Sequence, residues 1–311
     1  MTLTTTPFGK RATAAEVLDG VDLSGRRMIV TGGSSGLGAE TVRALAGAGA
    51  QVTIATRNPD DAKPLLAEFP QTQAAALDLA DLNSVRAFCS AWSGPLDGLV
   101  ANAGVMMLPT RQTNAQGWEM QLAINYLGHF ALAVGLRPAL QSAENARVVV
   151  VSSGAQLRAG LDFDDPHFER RSYDPFVAYS QSKTADVLLA VGISRRWAED
   201  GITANACAPG SIHTNLARHM DKATLMALGA MDADGNLVTP DYFKTPAQGA
   251  ATTVLLAASP LLDGISGRYF EDNQESEVVD GGPDVREGVA KWSVDPAAAD
   301  RLWDYALPVV H

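Results

Sequence analysis

One glycine-rich segment constrains the fold of this chain more than any other part of its sequence. Residues 31–38 read TGGSSGLG, and they follow the apolar, β-rich run Arg27–Thr31 and precede an Ala/Leu-rich stretch that ends near Gly47. This order predicts a strand, a tight turn and a helix, in which glycines let a pyrophosphate approach the N–H groups at the start of the helix. The spacing T-G-x-x-x-G-x-G differs from the G-x-G-x-x-G of other dinucleotide folds. A glycine turn that only packs a helix against a strand is the alternative.

Short apolar runs of strand length alternate with helical patterns through most of the chain. Besides the first run, we predict strands at Gln51–Thr56 and at residues 97–102, 147–152 and 267–271. Continuous apolar strands that are separated by helices are typical of a parallel sheet covered on both faces.

The C-terminal third continues this alternation without a linker. Thr245 and Pro246 predict the N-cap and the first position of a helix that extends to about Ala258. Because no linker divides the chain, we predict one domain. Its predicted parts are an N-terminal extension (1–25), a dinucleotide-binding and catalytic core (26–281) and an appended C-terminal segment (282–311).

Composition and charge exclude several classes of protein. The 311 residues are 46% hydrophobic and 19% charged, as in a soluble globular protein, and 24 basic against 35 acidic side chains give a net charge of −11. The basic residues are scattered, so neither nucleic acid nor an anionic membrane surface is an expected partner. Cys89 and Cys207 lie in apolar segments, and the sequence shows neither a signal peptide nor a run long enough for a membrane helix. We therefore predict a cytoplasmic protein.

A tyrosine and a lysine lie one helical turn apart in the segment YSQSK. Tyr179 and Lys183 occupy positions i and i+4, so they share one face of the predicted helix. A lysine ammonium close to a tyrosine stabilises the phenolate, which makes the phenol a better acid and base near neutral pH. By itself, Y-x-x-x-K also occurs by chance in many helices.

Further polar residues follow the predicted strands in a definite order. After the glycine-rich segment come Asn102-Ala-Gly104, Asn125, Ser152-Ser153, the Tyr179/Lys183 pair and Pro209-Gly210. The segments TGGSSGLG, NAG, INYLGHF, VVVVSS, YSQSK and APG, in this order, resemble the short-chain dehydrogenase/reductase family over roughly residues 25–275. Arg57, the LGHF after Asn125 and the long gap from Ser153 to Tyr179 are most similar to the group of retinol dehydrogenases and the WW-domain oxidoreductase. The resemblance implies an α/β, single-domain Rossmann fold, with a doubly wound parallel sheet and helices on both faces.

Four catalytic residues are implied by the resemblance. Tyr179 is then the general acid/base for the carbonyl or alcohol oxygen, and Ser153 hydrogen-bonds the same oxygen. Lys183 holds the hydroxyls of the nicotinamide ribose and favours the ionised form of Tyr179. Asn125 keeps a water beside Lys183 as part of a proton relay. Ser152 is the alternative to Ser153, and ordinary capping at a strand end is an alternative role for both serines.

The resemblance also implies how a nicotinamide dinucleotide binds. Besides Tyr179 and Lys183, the residues implied to contact it are Gly32, Ser34, Ser35, Gly36, Leu37, Arg57, Asp78, Leu79, Asn102, Ala103, Gly104, Pro209, Gly210, Ile212 and Thr214. NAD-binding folds usually carry Asp or Glu after the second strand, whereas this chain has Arg57, whose guanidinium pairs with a 2′-phosphate. We therefore predict NADP, with NADPH preferred over NADH. A solvated loop charge is the alternative role of Arg57.

Three further features lie outside these motifs. Residues 162–169 lack the alternation and the glycine of a calcium loop, so we expect no metal at Asp162, Asp164, Asp165, His167 and Glu169, and solvated side chains for the acids among them. Residues 218–242 suit an adaptable apolar lid, although methionines at helical spacing are more often core: Met220, Leu225, Met226, Leu228, Met231 and Tyr242. His129 falls on an apolar helix face, which predicts a core residue rather than a ligand.

The resemblance implies an NADP(H)-dependent oxidoreductase that interconverts a ketone or aldehyde and an alcohol, with an apolar small-molecule substrate. The family's habit also implies a homodimer or a homotetramer. Two alternatives stay open: reduction of a carbon–carbon double bond with NADPH, and an NADP-sensing binding protein without turnover. The double-bond reductase is less favoured because this chain has no cysteine-rich pigment site. Binding proteins without turnover usually lack the Tyr or the Lys, and this chain has both.

Overall fold

An eight-stranded sheet forms the centre of the molecule, for which a computed structural model describes residues 2–227 and 229–310. Its strands are β1 Arg27–Thr31, β2 Gln51–Thr56, β3 Gln73–Ala76, β4 Gly98–Ala101, β5 Arg147–Val151, β6 Thr203–Ala208, β7 Tyr269–Glu271 and β8 Gln274–Glu275. Their order across the sheet is β3-β2-β1-β4-β5-β6-β7-β8. The first seven run parallel, and β8 returns antiparallel to β7. Two short strands, β9 Val278–Val279 and β10 Val289–Ala290, pair separately.

Eleven α-helices are described, of which α2 to α10 lie between the parallel strands, α1 precedes the sheet and α11 follows it. They are α1 Ala14–Val17, α2 Gly36–Gly47, α3 Lys63–Glu68, α4 Leu82–Ala91, α5 Met120–Leu122, α6 Gly128–Gln141, α7 Pro175–Arg196, α8 Lys222–Ala227, α9 Pro246–Gly249, α10 Ala251–Ala258 and α11 Pro296–Val310. A π-helical turn, Ala123–Leu127, joins α5 to α6.

The sheet is buried between two helical layers. Val148 and Val150 of β5 pack with residues of α4, α6 and α7, whereas Val149 and Val151 pack with residues of α2 and α10. Successive side chains of a strand point to opposite faces, so this division means that both faces are covered. The predicted α/β fold, a doubly wound parallel sheet with helices on both faces, is confirmed.

The strand order reverses between β1 and β4, which lie next to each other at the centre of the sheet. In open α/β sheets, a ligand binds in the crevice at the carboxyl ends of the strands, at this point of reversal. The glycine-rich segment follows β1 and Asn102 follows β4, so the fold brings the first two predicted motifs together at that crevice.

Four predicted elements differ in detail from the structure. The strands predicted at residues 97–102 and 147–152 are shorter by one residue at one or both ends, as β4 and β5. The predicted helix from Pro246 to Ala258 is divided into α9 and α10 at Ala250. Its start is as predicted: Thr245 caps it, and Gln248 bonds back to the Thr245 N–H in a capping box. The predicted strand at residues 267–271 begins only at Tyr269, because Gly267 has a φ of +74° that a strand does not adopt.

The terminal segments pack on the sheet and its helices. Thr4 and Glu275 exchange hydrogen bonds, so the N-terminal residues run beside β8. At the other end, α11 packs along α7. There the ring of Trp303 makes edge contacts with Trp197 and Phe130, at centroid distances of 5.7 and 4.9 Å.

Candidate active site

A cavity of about 1340 Å³ opens at the carboxyl ends of the parallel strands. Every residue predicted to contact the dinucleotide lines it: Gly32, Ser34, Ser35, Gly36, Leu37, Arg57, Asp78, Leu79, Asn102, Ala103, Gly104, Tyr179, Lys183, Pro209, Gly210, Ile212 and Thr214. Ser153 lines it as well, whereas Asn125 does not. The fold therefore collects residues from seven separate segments around one cavity.

The glycine-rich segment is held to β4 by close backbone contacts. Thr31 Oγ1 accepts hydrogen bonds from the N–H groups of Asn102 and Ala103, both at 2.9 Å. Asn102 Nδ2 donates to the Thr31 carbonyl at 2.9 Å. A Cβ atom on Gly38 would lie only 2.3 Å from the Gly32 carbonyl oxygen, so only glycine allows α2 to approach the loop this closely. This geometry leaves the start of α2 open to the cavity.

The end of β2 presents a cation to the same cavity. Arg57 is exposed and makes no hydrogen bond or ion pair with the described part of the chain. Next to it, the hydroxyls of Ser34 and Thr56 share a hydrogen bond of 3.3 Å. Asp61 also lines the cavity here, and its carboxylate accepts a hydrogen bond from Asn58. The site thus contains a guanidinium and two hydroxyls that are suited to a phosphate group.

The two neighbouring serines after β5 differ in their surroundings. Ser152 is buried and donates from its hydroxyl to the Lys183 carbonyl at 2.7 Å. Ser153 is half-buried and lies on the cavity wall, where its hydroxyl oxygen accepts a hydrogen bond from the Ala155 N–H at 3.2 Å. The Ser153 hydroxyl therefore keeps its proton free for a ligand, whereas Ser152 fastens β5 to α7.

Tyr179 and Lys183 project from the first turns of α7, which begins at Pro175 with Asp174 as its N-cap. The Lys183 Nζ lies 5.8 Å from the centre of the Tyr179 ring. Lys183 also donates to the Val151 carbonyl at 2.9 Å and to the Asp186 carboxylate at 2.7 Å. Burial favours the neutral amine, but the charge of Asp186 outweighs it, so the pKa of Lys183 lies above its ordinary value.

Asn125 lies behind the cavity wall, in the π-helical turn before α6. Its side-chain amide exchanges two hydrogen bonds with the backbone of Val105, at 2.9 and 3.0 Å, and donates to Ser182 at 2.9 Å. A Cβ atom on Gly104 would lie 3.1 Å from Asn125 Oδ1 and 3.9 Å from the Lys183 Nζ. Gly104 thus separates the Asn125 oxygen from the ammonium without filling the space between them.

His129 is a core residue, as the sequence predicts. Its Nε2 lies 2.8 Å from Thr31 Oγ1, and its Nδ1 lies 2.8 Å from the Asn125 carbonyl. Because Thr31 Oγ1 already accepts two N–H groups, it donates to Nε2, and Nδ1 carries the proton. Burial lowers the pKa of His129 to about 4, so the ring is neutral at pH 7.

The acidic segment at residues 162–169 corrects the expectation of a solvated loop. Asp164 and Glu169 are exposed, but Asp165 and His167 are buried. The Asp165 carboxylate accepts from the backbone N–H groups of residues 169–171, at 2.8 to 3.1 Å. His167 bonds to the Glu119 N–H and to the Tyr305 hydroxyl. The side chains of Asp165 and His167 thus hold the loop in its conformation through hydrogen bonds. The described residues contain no cluster of His, Cys, Asp or Glu suited to a metal ion.

Several described residues of the segment 218–242 line the outer part of the cavity. Of the apolar side chains predicted for a lid, Met220, Leu225 and Tyr242 line the cavity, whereas Met226 is 38% exposed. Leu228 lies outside the described residues. The exposed share of Met226 and Tyr242 argues against a core role for this stretch.

Some of the residues that line the cavity are not predicted from the sequence. Lys244 lies against Gly210 and forms an ion pair with Asp272 at 2.6 Å. Residues 285–287 of the C-terminal segment also line the cavity. No sequence motif marks these positions, because they reach the site only through contacts between distant parts of the chain. Asp186 is different: its spacing of three residues from Lys183 on a helix was a readable signal.

Comparison with known proteins gives consistent results. The family model described as short chain dehydrogenase matches residues 26–224. A protein of Streptomyces lividans described as a probable oxidoreductase is 63% identical over 290 residues, covering 92% of this chain and 97% of that protein. Human retinol dehydrogenase 14 is 35% identical over 310 residues, covering 93% of this chain and 87% of that protein. This relative confirms the resemblance to the retinol dehydrogenase group.

A solved structure agrees with these relatives. The complex described as Pseudomonas aeruginosa RhlG/NADP active-site complex superposes with a TM-score of 0.63 at 27% identity, over 81% of this chain and 96% of that chain. In the described part of this chain, no helix combines the length and the apolar character that a membrane span requires.

Proposed function

This chain belongs to the short-chain dehydrogenase family and is an oxidoreductase, and on that premise we propose that it interconverts a ketone or aldehyde and an alcohol with NADP(H). The main observation behind the proposal is the set of polar side chains that meet at the cavity wall. The Tyr179 side chain lines the cavity together with Ser153, and the Lys183 ammonium lies beside the Tyr179 ring. A proton donor, a second hydrogen-bond donor and a cation are the groups that a carbonyl oxygen needs as it becomes an alkoxide.

The residues of the glycine-rich segment and of β2 suit the cofactor. The backbone N–H groups at the start of α2 face the cavity with no side chain at Gly36 or Gly38 to block a pyrophosphate. Arg57 is suited to the 2′-phosphate of NADP, and a structural relative is described as an NADP complex. When bound, the nicotinamide supplies or accepts the hydride.

In the reducing direction, Tyr179 donates the phenolic proton to the substrate oxygen while the carbonyl carbon receives the hydride. Ser153 donates a hydrogen bond to the same oxygen and stabilises its developing negative charge. Lys183 stabilises the phenolate that is left on Tyr179. In the oxidising direction, the same phenolate accepts the proton of the alcohol.

Asn125 belongs to the proposal as the residue that keeps a water near Lys183. The gap beside Gly104, between Asn125 Oδ1 and the Lys183 Nζ, supports this role. From the described residues, Asn125 Oδ1 accepts a single hydrogen bond, that of Val105, which leaves one lone pair for a water. Such a water would connect Lys183 to the interior side of the cavity wall.

The outer part of the cavity supports an apolar substrate. Met106, Met107, Leu157, Phe176 and Val285 contribute apolar side chains to its wall. Apolar walls with a few convergent polar groups are typical of small-molecule sites. The proposal also includes a cytoplasmic location and a homodimer or homotetramer, which fractionation and light scattering of the purified protein would test.

Tyr179→Phe tests the reaction, because it removes the hydroxyl and keeps the ring. We expect carbonyl reduction with NADPH to fall by about 100-fold or more, the usual contribution of a general acid. The matched control is Tyr242→Phe, which removes a hydroxyl from the cavity rim and should leave turnover within about twofold. Near-normal turnover by a folded Tyr179→Phe variant would refute the assignment.

Arg57→Asp tests the cofactor preference. We expect the Kd for NADPH to rise about tenfold or more, since the charge-assisted bonds to the phosphate are lost and a repulsive charge is added. NADH has no 2′-phosphate, so its Kd is the internal control and should not increase. Equal affinities of the parent protein for NADPH and NADH would contradict the proposed preference.

A further inference from the structure

A buried carboxylate with no part in the proposed reaction lies next to Lys183 on α7. Asp186 follows Lys183 by three residues, so both side chains project from one face of the helix. The Lys183 Nζ lies 2.7 Å from Asp186 Oδ2, and the two side chains are only 5% and 1% exposed. In the described part of the chain, this is the one ion pair in which both partners are buried.

The remaining bonds of the pair determine the direction of the ammonium. Lys183 also donates to the Val151 carbonyl, so two of its three N–H donors are committed and one remains for the cavity that Lys183 lines. Asp186 Oδ1 is buried and has no hydrogen-bond partner among the described residues. The carboxylate is therefore held by the ammonium, and the ammonium by the carboxylate.

Among the residues that the structure describes, no other charged side chain pairs with Lys183 or Asp186. The titratable groups that interact with the pair are Tyr179 on α7, Cys207 on β6, Tyr126 in the π-helical turn and His129 on α6. Burial raises the pKa of Cys207 to about 11, lowers that of His129 to about 4 and holds that of Tyr126 well above its usual value. All three are neutral near pH 7. The arginines at the exposed end of α7 pair with Asp300 on α11.

We propose that Asp186 is the positioning residue of Lys183, a buried counterion that keeps the ammonium charged and directed at the cavity beside Tyr179. Asp186 does not line the cavity, so it acts only through Lys183. The inference rests on the proposed function, in which the charge of Lys183 stabilises the Tyr179 phenolate.

A mutual dependence of the two charges follows from their burial. A low dielectric disfavours any isolated charge, so a buried lysine without a counterion loses its proton at lower pH. The Asp186 carboxylate opposes this and keeps the pKa of Lys183 above its ordinary value. Burial also raises the pKa of Asp186 above its ordinary value, although the Lys183 ammonium pulls it down. Removing either charge leaves the other uncompensated.

Asp186→Asn tests the proposal, because it removes the charge and keeps the shape. The chain contains only six lysines, so the ¹³Cε signals of a lysine-labelled sample can be followed by NMR, and Lys183→Arg identifies the Lys183 signal. We expect the titration midpoint of Lys183 to fall by at least one pH unit in Asp186→Asn. A midpoint that stays within the error of the parent value would overturn the proposal.

A matched control is available on the surface. Lys63 and Asp60 also form a pair at a spacing of three residues, with an Nζ–Oδ1 distance of 3.1 Å, but their side chains are 71% and 74% exposed. Asp60→Asn should leave the Lys183 midpoint unchanged. In alcohol oxidation, only Asp186→Asn should move the acidic limb of the kcat/KM profile to higher pH, because an ammonium that Asp186 no longer holds beside Tyr179 favours the phenolate less. A limb that stays in place while the enzyme is folded would count against the proposal.

If Asp186→Asn does not fold, the double variant Lys183→Met/Asp186→Asn decides. Refolding of the double variant would support the proposal, since both buried charges are then absent. Failure of the double variant as well would overturn it, because Asp186 would then serve the fold without Lys183. The NMR titration needs no turnover, so an inactive parent protein would refute the proposed function and leave the pairing of Lys183 with Asp186 testable.

Discussion

Gly38 sets the distance between α2 and the glycine-rich segment, and Gly38→Ala tests that contact directly. The added Cβ would lie 2.3 Å from the Gly32 carbonyl oxygen and 2.7 Å from Asn102 Nδ2. Ordinary contacts begin near 3.4 Å, so the loop or the helix must move by about 1 Å. Neither neighbour is the free end of a flexible side chain, because Gly32 contributes backbone and Asn102 is bonded to the Thr31 carbonyl.

Two opposing effects determine the magnitude. Overpacking of this kind costs about 1–3 kcal/mol. Alanine in a helix gains up to about 1 kcal/mol over glycine, which offsets part of that cost. We therefore expect Gly38→Ala to lower the free energy of unfolding by about 1–2 kcal/mol. The Kd for NADPH should rise about tenfold or more, since the displaced segment is the one proposed to hold the pyrophosphate.

Gly47→Ala is the matched control, because it makes the same change at the other end of the same helix. A Cβ on Gly47 would meet no atom within 4 Å, so the variant should be as stable as the parent or more so, with unchanged affinity for NADPH. Urea unfolding gives the stabilities, and quenching of protein fluorescence by NADPH gives the Kd. If Gly38→Ala matched Gly47→Ala in both measurements, the packing argument for Gly38 would be wrong.

Two further predictions concern stability. The pKa of His129 is about 4 in the folded protein, against 6.5 for an unperturbed histidine. Between these two pH values the unfolded chain therefore binds more protons than the folded protein. The free energy of unfolding should be at its full value above pH 6.5 and should fall by about 3 kcal/mol as the pH drops to 4. Urea unfolding across that range should give a shallower loss for His129→Gln than for the parent, and equal slopes would contradict the prediction. Thr245→Ala removes the cap of α9 and should cost about 1 kcal/mol in the same assay, whereas an unchanged midpoint would mean that the capping box contributes nothing.

The sequence predicts ranges for β1, β2, β4, β5 and β7 but none for β3, β6 and β8. Strands such as β1 and β2 are predictable because they are buried on both faces of the sheet. Such strands are continuous apolar runs, and β1 and β2 have the predicted ends to the residue. The strand predicted at residues 147–152 ends one residue earlier, at Val151, and Ser152 instead bonds to α7. The local sequence pattern thus predicts where the strands lie, whereas the contacts of the polar residues at their ends depend on the tertiary structure.

The predictions were weakest where long-range contacts decide burial. Asp165 is predicted to be solvated because acidic segments usually are, but it is buried and accepts hydrogen bonds from the backbone N–H groups of residues 169–171. Next to it, Tyr305 of α11, 138 residues beyond His167, covers that histidine. Lys244 and residues 285–287 likewise reach the cavity from distant parts of the chain. Asn125 carries a family motif, yet its side chain is turned to the Val105 backbone rather than to the cavity. Sequence motifs predict which segments come together, whereas packing determines which of their atoms face the cavity.

The burial of α7 also limits which substitutions related sequences can carry in this helix. Residues 178–193 of this helix are all buried, between the sheet on one side and α11 on the other. A helix without a solvated face has almost no position at which a substitution is neutral, so the spacing of Tyr179 and Lys183 is protected by packing as well as by chemistry. Changes in substrate preference are therefore expected at the rim, at residues 105–107 and 285–287 and in the described part of 218–242, where side chains can change size without disturbing Tyr179 and Lys183.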